Sequence, residues 1–200
     1  MQPIQVSGWL LIVGGLLAVI GAFWPPYRQW SAPLEEALRI IASHPIGWRC
    51  IHAGFVGGTV VSALGLAMLA YALRGAAGGS AARVSAVLFA VAAGLWLVNI
   101  AYRLSVMPWA ANELVATGIV PATYAPWRSF AKLLFAGFSA LGYLAVAASG
   151  WSALQASLTS PWVGWLLVVW GLSGGFVFGA NVPFIMYVAF IVLGGHLVQT

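Results

Sequence analysis

Long apolar runs fill most of this chain, and none of its acidic side chains falls inside one of them. That pattern restricts the fold more than any motif does. A helix of about 20 apolar residues matches the hydrocarbon thickness of a bilayer, and several runs here reach or approach that length. Composition agrees: 62% of residues are hydrophobic, only 6% are charged, and mean hydropathy is +0.99. A soluble domain carries about 25% charged residues. The expected class is all-α, a polytopic membrane helix bundle in which residues 1–200 form one transmembrane domain, with no room for a separate soluble domain.

Punctuation divides the chain into six expected spans, at about 8–24, 47–73, 84–104, 127–150, 162–179 and 183–198. Pro25 and Pro26 stop the first, because proline cannot continue the hydrogen-bond ladder. No basic residue precedes that run and no small-residue cleavage site follows it, so it reads as a retained span and not as a signal peptide. Next comes a short amphipathic stretch, with Ser31 as the expected N-cap and Glu35 and Glu36 in a first turn. Leu34, Leu38 and Ile41 recur there at helical spacing, which predicts a helix lying at the membrane interface. Residues 105–126, with Pro108, Pro121 and Pro126, read as a long connection. Asn181 and Pro183 mark the expected turn between the last two spans; one broken element over the last 37 residues is the alternative.

Small residues at four-residue spacing allow helices to approach closely. Gly54/Gly58 and Gly171/Gly175/Gly179 form two such ridges, suited to packing, to self-association or to partner membrane subunits. The segment Gly8-Trp9-Leu10-Leu11 echoes Gly164-Trp165-Leu166-Leu167, a match that apolar low-complexity sequence also produces by chance. The Trp-Pro-Pro end of the first span and the His44-Pro45-x-x-Trp48 entry into the second resemble small bacterial membrane proteins. That resemblance implies a bacterial cytoplasmic membrane and carries no function.

The net charge of +5 comes from scattered side chains at the ends of apolar runs. It fits anchoring to lipid headgroups, and no basic run suggests nucleic acid. Six spans would gather Arg28, Arg39, Arg49, Arg103, Arg128 and Lys132 at one face and leave Arg74 and Arg83 at the other. The richer face is then expected to be cytoplasmic. Most tryptophans fall at expected span ends, as an interfacial belt: Trp9, Trp24, Trp48, Trp109, Trp127, Trp151 and Trp162. Trp96 and Trp170 are the exceptions.

Candidate chemistry is sparse. Cys50 is the only cysteine, which excludes an intramolecular disulfide and a cysteine zinc cluster. No spaced set of metal ligands, no phosphate loop and no placed pair of carboxylates stands out. The second span starts, the third ends and the fourth starts at the same face. Arg49, His52, Trp96, Asn99, Arg103 and Lys132 should therefore lie at similar depth. Two readings compete. In one, the cations snorkel to phosphates and the tryptophans line the interface. In the other, they converge on a pocket for an anionic headgroup or an amphiphile such as a lipid or quinone.

The first expectation for function is a non-catalytic membrane protein, either an accessory or assembly subunit or a lipid- or amphiphile-binding protein. A small oligomeric transporter or channel is the second. A redox protein holding haem b through His52 is the third and is not favoured, since His52 and His196 should sit at opposite faces and cannot clamp one haem.

Overall fold

The computed structural model describes residues 2–25, 30–177 and 185–200. Among them are seven helices and no strand: α1 (Pro3–Phe23), α2 (Leu34–Ser43), α3 (Pro45–Ala72), α4 (Gly79–Thr117), α5 (Tyr124–Gln155), α6 (Pro161–Val177) and α7 (Ile185–Gln199). Four of them, α1, α3, α4 and α5, are long and apolar enough to cross a membrane, which is the pattern of a multi-pass helical membrane protein. The apolar helices α6 and α7 are shorter. Asn181, Pro183 and Gly179 lie outside the described residues, as does Arg28.

Local chemistry sets most boundaries. Pro3 and Pro45 open α1 and α3 near their first positions, where proline's missing N–H costs nothing. Trp24, the residue before Pro25, is extended and ends α1, as the steric demand of a following proline requires. Gly75 and Gly78 take φ values of +81° and +80°, which lets the short turn between α3 and α4 fold back. Gly78 also sits against Ser152, whose hydroxyl donates to the Gly78 carbonyl at 2.9 Å. Gly118, at φ +77°, ends α4 in the left-handed conformation that glycine tolerates best.

Two expectations are corrected here. Residues 105–117 are helical and belong to α4, not to a connection. At 39 residues, α4 is about 58 Å long, roughly twice the hydrocarbon thickness. The helix is thus longer than one crossing needs, and its last turns are also its less apolar part. Pro108 removes one hydrogen bond inside the helix. Beyond it, Ala110, Ala111 and Leu114 are buried while Trp109, Glu113 and Val115 are exposed, so one-sided burial carries the helix onward. The second correction concerns the cap of α2, which is Pro33 and not Ser31. The apolar side of α2 is as expected: Leu38 and Ile41 are buried and Leu34 partly so. It packs on α4.

Packing follows small residues. α1 lies antiparallel to α3 along its whole length: Ser7 donates to the Gly65 carbonyl at 2.8 Å, Gly14 meets Ser62, and Gly21 meets Gly54. α1 also lies antiparallel to α7, with Gly8 against Gly194 and Gly15 against Tyr187 and Ile191. The Gly54/Gly58 ridge is thus covered by α1 of the same chain, and Gly171 packs on Ala147 and Tyr143 of α5. The two echoed segments have different surroundings, α1 lying between α3 and α7 while α6 rests on α5.

Further contacts join α3 to α4, α4 to α5, and α5 to α7, with smaller ones between α2 and α3 and between α6 and α7. Five helices, α1, α3, α4, α5 and α7, therefore surround a common interior, and α6 flanks α5 from outside.

Candidate functional site

The interior of this ring is not filled at one end. A cavity of about 1010 Å³ reaches in from the end where α1 finishes and α3 and α5 begin. All five ring helices contribute to it, through Ala22, Phe55, Trp96, Phe138 and Tyr187 among others, and Trp30 of the α1–α2 link joins them. Its polar lining is dominated by Arg103, Arg128 and Lys132. Arg103 lies about 36 Å along α4 from Gly79, close to where a hydrocarbon core of about 30 Å would end. Trp96 lies two turns deeper.

Arg103 is held from several sides. Its Nε donates to Oδ1 of Asn99 at 2.6 Å, and the Asn99 amide nitrogen donates to the Ala131 carbonyl of α5 at 2.6 Å. The guanidinium carbon lies 5.3 Å from the Trp30 ring centroid, 5.4 Å from that of Trp96 and 5.6 Å from that of Phe135. A cation over an aromatic face gains about 0.5–2 kcal/mol, so three faces provide a large share of what the charge loses on leaving water. Among the described residues, none of Glu35, Glu36 and Glu113 pairs with it, and all three are exposed. The terminal nitrogens of Arg103 have no hydrogen-bond partner among the described residues.

Aromatic packing fixes the inner wall. Trp96 stacks on Phe138 with centroids 4.8 Å apart and planes 10° from parallel, and Phe55 meets Trp96 edge-on at 5.5 Å. The indole nitrogen of Trp96 is buried and has no partner among the described residues. At the inner end, the Tyr187 hydroxyl hydrogen-bonds the Thr59 hydroxyl at 2.7 Å, linking α7 to α3. Ser129, Leu133 and Ala136 line the cavity yet are exposed, so its mouth runs along the first turns of α5.

The expected site residues divide three ways. Trp96, Arg103 and Lys132 line the cavity. Asn99 is fully buried behind Arg103 and positions it. Arg49 and His52 do not line it. Although they are three residues apart on one helix, Arg49 is exposed in the first turns of α3 while His52 is buried. The arginine has an outward route at the helix end, whereas the imidazole turns in and its Nδ1 donates to the Trp48 carbonyl at 2.7 Å. The His52 ring packs against Trp48 at 4.2 Å, and its Nε2 is buried without a partner among the described residues.

Trp48 corrects the interfacial-belt expectation. It is 1% exposed, and its indole N–H donates to the Arg103 carbonyl at 2.8 Å. The other tryptophans of that expected belt, Trp9, Trp24, Trp109, Trp127, Trp151 and Trp162, are exposed.

Sequence reasoning missed Trp30, Phe135, Phe138 and Tyr187 as lining residues. Phe135 follows Lys132 by three positions and Phe138 follows Phe135 by three, a helical spacing that offered a signal. Tyr187 had none, because only the packing of α7 brings it in. Among the described residues, no three His, Cys, Asp or Glu side chains group as a metal site. Comparison with protein-family models, with curated proteins and with solved structures gives no match for this chain.

Proposed function

We propose that this chain crosses the bilayer six times and acts as a non-catalytic binding protein for an amphiphile with an anionic head. The observation that carries the reading is Arg103: a half-buried guanidinium set among the aromatic residues of a cavity whose other cations, Arg128 and Lys132, are exposed, with no carboxylate lining it among the described residues. Charges inside membrane proteins are costly and mark functional positions. Arginine's fork suits carboxylate and phosphate. The depth of the cavity suits a tail, since the cations lie toward the interface and the aromatic walls lie inward. Its volume is at the upper end of the range for small-molecule sites, about 300–1,000 Å³.

Support for six crossings comes from direction. α6 runs antiparallel to α5 from Gly164 beside Gly150 to Gly174 beside Tyr143, and α7 runs antiparallel to the spanning helix α1. Single cysteines in a Cys50→Ser background test this. Residues 76, 157 and 200 should label from one side of the membrane, and residues 35 and 117 from the other. Residue 185, at the start of α7, should label from the side of 35 and 117; its labelling from the side of 157 and 200 would refute six crossings.

The binding reading is tested by native mass spectrometry of the full chain released from membranes. Wild type should retain an anionic amphiphile, and Arg103→Ala should retain at least tenfold less while keeping its helical circular-dichroism signal. Equal retention would overturn the reading. Arg103→Lys, which keeps the charge but not the fork, should fall between the two.

A further inference from the structure

Resting on the binding reading above, we infer that the preferred head group is a phosphate monoester carried on a membrane lipid, a dianion and not the monoanion of a phosphodiester. The first argument is charge. Arg103, Arg128 and Lys132 all line one cavity, and no acidic residue lines it. A phosphodiester or a carboxylate brings one negative charge, whereas a phosphate monoester brings about 1.5–2 near neutral pH. Arg128 and Lys132 are exposed and Arg103 is partly buried; against these three cations the monoester leaves the smaller residual charge, which matters most at Arg103, beside walls of low polarity.

The second argument is hydrogen-bond direction. Nε of Arg103 is taken by Asn99, which leaves the two terminal nitrogens as a fork. Trp96, whose ring centroid lies 5.4 Å from that guanidinium, is 3% exposed, and its indole N–H has no hydrogen-bond partner among the described residues. Arginine, lysine and indole donate and do not accept. A head group with three terminal oxygens offers acceptors to several such donors at once. A quinone would offer acceptors but leave the cations uncompensated.

The third argument is access, and it separates a lipid from free phosphate. Ser129, Leu133 and Ala136 of α5 are exposed lining residues, and Leu133 is 73% exposed. The mouth is therefore bordered by the apolar outer side of a spanning helix, which is where a ligand entering from the bilayer would pass.

The test uses the full chain in nanodiscs of phosphatidylcholine doped, at equal mole fraction, with phosphatidate or phosphatidylglycerol, read by native mass spectrometry after gentle release. Phosphatidate should bind at least fivefold more than phosphatidylglycerol, and both more than phosphatidylcholine. In Arg128→Ala/Lys132→Ala the phosphatidate preference should fall to within twofold while phosphatidylglycerol is still retained. Equal binding of the two anionic lipids by wild type, both above phosphatidylcholine, would overturn the dianion inference and leave the binding reading standing. Equal binding of all three would overturn both. Displacement of bound phosphatidate by millimolar inorganic phosphate would assign the site to the free anion and overturn the lipid source. The wild-type comparison needs no variant to fold.

Discussion

Asn99 accepts from Nε of Arg103 with its side-chain oxygen and gives its side-chain N–H to the carbonyl of Ala131, both at 2.6 Å. One amide thus sets the orientation of the guanidinium and links α4 to α5. Asn99→Leu should lower stability by about 1 kcal/mol, near the upper part of what hydrogen bonds between membrane helices contribute. It should also reduce anionic-amphiphile retention, because Arg103 would lose its brace. A thermal or denaturant melt in detergent, paired with native mass spectrometry, checks both. Asn99→Asp separates brace from charge: it keeps the acceptor but adds an anion beside Arg103, and retention should fall further than in Asn99→Leu.

The bond between Thr59 and Tyr187 joins α3 to α7 at the inner end of the cavity. Thr59→Val and Tyr187→Phe should each destabilise. Their combination should show a coupling energy of about 0.6–1.7 kcal/mol in a double-mutant cycle. Additive losses would mean that the two hydroxyls do not act on each other.

The contact between α1 and α3 is decided by glycine. A methyl group on Gly58 would lie 2.6 Å from the Ala18 backbone nitrogen and 2.7 Å from the Gly14 carbonyl oxygen. Both are backbone atoms, so the helices would have to separate. Gly58→Ala should cost about 1–3 kcal/mol, the usual range for overpacking. At Gly94 no atom beyond its own stretch of helix lies within 4 Å of the same position among the described residues. Gly94→Ala should leave the melt unchanged or raise stability by up to about 1 kcal/mol through helix propensity.

His52 offers a test of the haem alternative. Its ring is buried against Trp48, and it does not line the cavity beside Arg103. The purified protein should show no Soret band, with or without added haemin. A Soret band lost in His52→Ala would contradict this placement.

Much of the architecture was legible because water and lipid sort side chains so sharply. The end of the first span before Pro25 and the amphipathic side of α2 follow from proline sterics and periodicity. The length of α4 was not legible: Ser105, Pro108 and Glu113 lower its hydropathy toward its end, and falling hydropathy looks the same for a loop and a continuing helix. Within the site, direction alone brought Trp96, Asn99, Arg103 and Lys132 together. The same reasoning placed Arg49 and His52 with them, because depth along a span says nothing of rotation about its axis. Trp48 was assigned to the interface for the same reason. Tyr187 depends on which helix lies beside which, a relation that spacing within one segment cannot express.

The place of α1 between α3 and α7 bears on how the protein is made. One side of α1 is covered as soon as α3 enters the membrane. Its other side, with Gly8 and Gly15, has no neighbour until the final helix arrives. An early segment therefore waits, half-clothed, for a late one, and a chain cut short before Ile185 would carry a bare strip along its oldest helix, ready for a membrane chaperone or protease to find.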